Sequence, residues 1–82
     1  MKNPALNNAI LKILARVACG LREKTLQAEA ELAMDRPDLT TDEFLDALGF
    51  LEDRALVRKW DNLIGDTVWG IEPAGRDALK GL

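Results

Sequence analysis

The sequence predicts a small α+β fold that is mainly helical: three helices, then a two-stranded β-hairpin, then a short C-terminal helix. Three observations predict this order. Apolar residues recur at helical spacings of three and four through residues 4–54. Two short runs rich in β-branched and aromatic residues follow, with a polar loop between them. A proline then stands where a last helix can begin.

The length and composition indicate one folded domain over residues 1–82. A chain of 82 residues can form one hydrophobic core, and 48% hydrophobic residues are too many for a disordered chain. With one cysteine and no histidine, the chain offers no internal disulfide and no plausible zinc set, so we expect no metal or cofactor. Polar residues interrupt every apolar run, so we expect a cytoplasmic protein without membrane contact.

The first helix is expected to start at Pro4, with Asn3 as its N-cap, and to end at a left-handed Gly20. Cys19 falls opposite the apolar stripe of this helix, so we expect an exposed, inert thiol, with redox sensing as the less favoured alternative. The stripe consists of Leu6, Ile10, Ile13, Leu14, Val17 and Leu21.

The second helix is predicted from about Leu26 to Met34, with Thr25 as its N-cap. Its inner side is expected to carry Leu26, Ala30, Ala33 and Met34. It ends before Pro37, because proline cannot continue a helix.

The third helix is predicted from a capping box to about Arg54. In this box the Thr40 hydroxyl and the Glu43 carboxylate each satisfy a free backbone N–H at the helix start. Phe44, Leu48 and Leu51 are expected to face the core.

The hairpin is predicted to pair residues 56–60 with residues 67–71 across a six-residue loop. Trp69 alternates with its strand neighbours on one face and is expected to pack in the core. Trp60 stands at the start of the loop and is more open to a contact role. Pro73 then opens the last helix.

Two stretches carry a family resemblance. Residues 51–57, LEDRALV, have the form of a recognition helix running into a wing strand, with Ala55 where glycine is usual. Residues 69–76, WGIEPAGR, have the form of a second wing strand before an "LTPxGR" helix start, with Glu72 in place of threonine. The chain thus resembles the winged helix-turn-helix superfamily, in particular MarR- and PadR-like regulators. The resemblance covers roughly residues 6–79 and implies a fold more strongly than a function.

The resemblance implies that the third helix enters a DNA groove, but its charges oppose this role. Residues 25–53 hold nine acids and one arginine, and each acid that faces phosphates weakens binding. The side of the helix that faces away from the core carries four acids, one aromatic residue and Gly49. The acids and the aromatic residue of this side are therefore candidates for contact with a protein: Asp42, Glu43, Asp46, Phe50 and Asp53.

The basic residues lie on the first helix and beside the wing instead. A canted docking through these two elements leaves DNA binding possible. The candidate DNA-binding residues are Lys12, Arg16, Arg54, Arg58, Lys59 and Trp60.

Two functions stay open, with a slight preference for the first. The first is a non-enzymatic DNA-binding, transcription-regulator-like protein of bacterial or phage type. The second is a protein–protein interaction module, such as an accessory subunit or a small Mu-like prophage protein, whose partner is a basic or apolar protein surface. A homodimer that joins the acidic third helix to the basic first helix is one form of it. Asp42 and Asp46 lie at i, i+4, but a solvated acidic face is favoured over catalysis, so no enzyme is expected.

Overall fold

The computed structural model describes residues 4–17 and 19–81. Within these residues the fold is α+β and mainly α, with four helices and one three-stranded antiparallel sheet. The elements in chain order are α1 (Pro4–Ala15), β1 (Leu21–Arg22), α2 (Glu23–Met34), α3 (Thr41–Asp53), β2 (Val57–Asp61), β3 (Thr67–Ile71) and α4 (Pro73–Lys80). The predicted N-cap, Asn3, lies outside the described residues. No helix in the described ranges is long and apolar enough to cross a membrane.

The sheet has a third strand that the sequence did not predict. Its strand order is β1-β3-β2, and Leu21 of β1 lies opposite Trp69. The prediction of a two-stranded sheet is therefore wrong, as is the assignment of Leu21 to the first helix. The reason is that α1 ends at Ala15, whose carbonyl oxygen accepts a hydrogen bond of 3.1 Å from Arg76 Nη1.

Gly20 directs the chain into β1. It has a positive φ of 81°, as predicted, but it lies beyond α1 rather than at the end of that helix. A Cβ atom at this position would lie 2.6 Å from the carbonyl oxygen of Trp69. Only glycine therefore combines this backbone conformation with such a close approach to β3.

The start of α2 also differs from the prediction. It begins at Glu23 directly after β1, so Thr25 lies within its first turn and is not the N-cap. The Glu23 carboxylate stabilises this start in two ways: it complements the helix dipole, and it accepts a hydrogen bond of 3.0 Å from Trp69 Nε1. The predicted end at Met34 is confirmed, with Asp35 in a left-handed conformation. Ala33, predicted to face inward, is exposed.

The start and end of α3 agree with the prediction, and half of the capping box forms. The backbone N–H of Glu43 donates to Thr40 Oγ1 at 3.1 Å. The Glu43 carboxylate accepts instead from the Thr40 hydroxyl and from Arg36. The sequence predicted that the Glu43 carboxylate accepts from the backbone N–H of Thr40. The carboxylate binds the Arg36 guanidinium instead.

The core lies between α1, α2, α3 and the inner face of the sheet. The predicted core face of α3, Phe44, Leu48 and Leu51, is almost completely buried, and Trp69 is buried as predicted. The cluster also includes Leu6, Ile10, Leu11, Ile13, Leu14, Leu26, Ala30, Leu39, Ala47 and Val57. Burial of this apolar area is the main stabilising contribution.

The hairpin pairs β2 with β3 from Val57 opposite Ile71 to Asp61 opposite Thr67. The loop is therefore residues 62–66, one residue shorter than predicted. Asn62 explains the difference, because its Oδ1 accepts hydrogen bonds from two backbone N–H groups within the loop, at 3.0 and 2.9 Å. This side chain closes the turn directly after β2.

Ala55 follows α3 in a left-handed conformation, with a φ of 58°. Since this conformation costs a non-glycine residue about 1–2 kcal/mol, we expect Ala55→Gly to raise the free energy of unfolding by roughly 1 kcal/mol. Urea denaturation followed by circular dichroism measures this change. Ala28→Gly, at an exposed position within α2, is the matched control and should lower stability by about 1 kcal/mol. Equal losses for the two variants would contradict the prediction.

Candidate interaction surfaces

The acidic face of α3 is partly neutralised by a neighbouring loop. Asp42, Asp46 and Asp53 are exposed, whereas Glu43 is half-buried. The Arg36 guanidinium lies 3.2 Å from the Glu43 carboxylate, and this hydrogen bond and charge raise the pKa of Arg36. Glu43 is therefore already engaged within the chain.

Phe50 is half-buried and packs against the core cluster. The guanidinium of Arg54 lies 4.5 Å from the centroid of its ring. Phe50, a predicted protein-contact residue, therefore lies against Arg54, a predicted DNA-binding residue. Only part of the Phe50 ring is open to a partner.

The basic residues of the hairpin lie on opposite faces of the sheet. Arg58 and Trp60 lie on the outer face, opposite to the face that carries the buried Val57, and the Arg58 guanidinium is 5.0 Å from a ring centroid of Trp60. Lys59 points to the other face, with its amine 5.6 Å from a ring centroid of Trp69. Arg58 also forms an ion pair of 3.1 Å with Glu72. These cations therefore do not form one continuous basic strip along the wing.

Lys12 and Arg16 lie near the C-terminal end of α1, and both are exposed. Arg16 is just beyond the end of the helix, next to Ala15. Arg76 binds the Ala15 carbonyl oxygen from α4 and so adds a third cation at this end. Arg76 was not among the predicted site residues, because only the tertiary fold brings α4 to the end of α1.

A shallow pocket of about 140 Å³ opens on the outer face of the sheet, and we call it the outer pocket. The predicted candidates Arg58 and Trp60 both contribute to it. Cys19 also lines it and is exposed, as predicted. The outer pocket is formed by Val17, Cys19, Gly20, Arg58, Trp60, Gly70, Ile71 and Arg76.

Trp60 lies close to the backbone of two glycines. Cβ atoms at Gly20 and Gly70 would each lie 2.9 Å from its Cη2 atom. The Arg58 guanidinium lies near the ring as well, and Trp60 remains 36% exposed. A nucleic-acid base that stacks on the face near Arg58 would have to displace this guanidinium first.

The tip of the hairpin carries two adjacent exposed aliphatic residues. Leu63 is fully exposed and Ile64 is 73% exposed. Asp61 and Asp66 flank them, and residues 61–66 contain no lysine or arginine. The sequence itself shows a leucine–isoleucine pair within a polar loop, so this candidate contact site could have been predicted. The exposure of the two side chains depends on the turn that Asn62 closes.

The described residues contain no group of three or more histidine, cysteine, aspartate or glutamate side chains placed to hold a metal ion. The described element order, with β3 between β1 and β2, is compatible with a winged helix. Comparison with models of protein families finds no match for the chain, and comparison with curated proteins finds none either. The class of protein therefore rests on architecture: a small α+β chain with a three-stranded antiparallel sheet.

Proposed function

We propose that this chain is a non-enzymatic protein-interaction module on a winged-helix fold, with the tip of the β2–β3 hairpin as its contact element. The observation that carries the proposal is the exposure of Leu63 and Ile64 on a turn that two hydrogen bonds to Asn62 close. Burying one such side chain against a partner contributes about 1.5–3 kcal/mol. A hairpin tip whose turn is already closed by hydrogen bonds loses less conformational entropy on binding than an open loop does.

Charge supports a protein partner over DNA. A winged helix usually brings its recognition helix and its wing to DNA. Here the corresponding helix, α3, presents Asp42, Asp46 and Asp53 to solvent, and the hairpin tip lies between Asp61 and Asp66. Carboxylates at these positions repel phosphates but attract a protein surface with basic residues around an apolar site.

Site-specific photo-crosslinking in the producing cells tests this proposal. The probe p-benzoylphenylalanine takes the place of leucine at position 63, and Leu32, 77% exposed on α2, is the matched control position. We expect a discrete adduct from position 63, identified by mass spectrometry, and its loss when Ile64→Glu accompanies the probe. The same pattern of adducts from positions 63 and 32 would contradict the proposal.

DNA binding in a transcription-regulator-like role is the second candidate. It is supported by the compatibility with a winged helix and by the exposed cations of α1 and the wing, which would contact the phosphate backbone in place of α3. These cations are Lys12, Arg16, Arg54, Arg58 and Lys59.

Fluorescence anisotropy with a labelled duplex tests DNA binding. At about 50 mM salt electrostatic affinity is strong, so binding should be detectable there and should weaken steeply at higher salt. Lys12→Glu should weaken it further, and Lys24→Glu, an exposed charge reversal on α2, is the control. The absence of binding at low salt would reject this candidate.

A further inference from the structure

We infer that the hairpin tip binds a second copy of this chain, and that an aliphatic side chain of each tip enters the outer pocket of the other copy. This inference rests on the proposed role of the tip and adds the identity of its partner. Two features of one surface carry it: an acid-flanked aliphatic tip, and a pocket that combines apolar and basic groups.

The chemistry of the tip and that of the pocket are complementary. The lining of the outer pocket is mainly polar, with positive charge from Arg58 and Arg76, and Val17 and Trp60 add apolar surface to it. An occupant that suits these groups has an aliphatic side chain next to a carboxylate. The sequence Asp-Asn-Leu-Ile-Gly-Asp at residues 61–66 supplies both.

The charged groups of the tip and of the pocket form ion pairs within the chain, but they can still bind a second copy. Arg58 pairs with Glu72, and Asp66 pairs with Arg22 at 3.6 Å. Both arginines are well exposed. Exposed ion pairs contribute little to stability, so a guanidinium can turn to a carboxylate of the second copy with little loss.

The hairpin places the tip and the pocket at its two ends. Arg58, opposite Gly70, lies near the base of the hairpin, and at about 3.3 Å per residue the tip lies roughly 15 Å further along. Two hairpins that pack antiparallel, outer face against outer face, therefore bring each tip to the other copy's pocket. This arrangement is a closed two-fold dimer, in which both contacts form at once.

The volume of the outer pocket suits a single aliphatic side chain. A cavity of about 150 Å³ can hold a molecule of the size of benzene, and the outer pocket, at about 140 Å³, is of similar volume. This space accepts the side chain of leucine or isoleucine but not the whole tip. One of Leu63 and Ile64 therefore enters, and the other packs against the surface around the pocket.

Cys19 provides a direct test, because it lines the outer pocket and is the only cysteine in the chain. In the Ile64→Cys variant under mild oxidation we expect a disulfide between position 64 of one copy and Cys19 of the other. It should form roughly tenfold faster than the disulfide of Leu32→Cys, because docking raises the effective concentration of the two thiols. Peptide mass spectrometry identifies the linked positions, and Cys19→Ser should abolish this product.

Sedimentation velocity tests the same inference without chemical modification. The unmodified chain should dimerise reversibly, and the double variant Leu63→Glu, Ile64→Glu and the single variant Cys19→Arg should each be monomeric. Mixing these two variants should restore part of the dimer, because one intact tip and one intact pocket remain. An unmodified chain that stays monomeric, or equal crosslinking of Ile64→Cys and Leu32→Cys, would overturn the inference.

The outcomes separate this inference from the proposed function. A crosslink from position 63 to a different protein, with no dimer, would reject the second copy as partner and support the tip as a contact element. The absence of any specific crosslink would reject both. Binding of DNA that is weakened by Cys19→Glu would assign the outer pocket to nucleic acid and also overturn the inference.

Discussion

Replacing Gly75 with alanine is expected to lower the free energy of unfolding by about 2–3 kcal/mol, although Gly75 lies within α4 and alanine is the better helix former. An added Cβ atom would collide with the carbonyl oxygen of Leu56 and lie 2.7 Å from Cγ1 of Ile71. The Leu56 oxygen cannot easily move, because it accepts a hydrogen bond of 2.9 Å from the backbone N–H of Glu72. The close approach of α4 to this segment therefore requires glycine.

Gly49→Ala is the matched comparison for this prediction. Gly49 lies within α3, and an added Cβ atom there would meet nothing within 4 Å. Helix propensity then acts alone, and we expect a gain of about 1 kcal/mol. Urea denaturation of both variants measures the two changes. Changes of the same sign would show that tertiary contact at Gly75 does not control the outcome.

Elements with strong local signals could be predicted from the sequence. Thr40 marks the start of α3, Pro73 marks the start of α4, and alternation of apolar residues marks the hairpin. The strand β1 could not be predicted, because it has two residues and depends on pairing with Trp69, which lies far along the chain. The end of α1 at Ala15 could not be predicted either, because Arg76, which donates to the Ala15 carbonyl oxygen, lies far along the chain.

The candidate surfaces were predictable in composition but not in geometry. Charge alone indicated the acidic face of α3 and placed the cations elsewhere. The sequence did not show that Arg36 engages Glu43 or that Arg54 covers part of Phe50, because both contacts depend on how loops and helix ends fold back. The outer pocket combines residues from separate parts of the chain, so no local pattern indicates it.

Trp69→Ala is expected to be the most destabilising of these substitutions, at about 3–5 kcal/mol. Trp69 is 3% exposed and packs in the core, and it connects β3 to the start of α2 through its hydrogen bond to Glu23. A chain of 82 residues has a total stability of about 4–12 kcal/mol. We therefore expect the variant to be partly unfolded at 25 °C, as measured by circular dichroism, whereas Leu32→Ala, at an exposed position, should change little.

A second substitution at the same position separates the hydrogen bond of Trp69 from its packing. Trp69→Phe retains much of the apolar ring but removes the N–H donor that Glu23 accepts at 3.0 Å. We expect a loss of about 1–3 kcal/mol, since the half-buried carboxylate then lacks this partner. A double-mutant cycle with Glu23→Ala should give a coupling energy of about 1 kcal/mol or more. Strictly additive effects would mean that packing alone stabilises the junction between β3 and α2, and that the start of α2 at Glu23 has another cause.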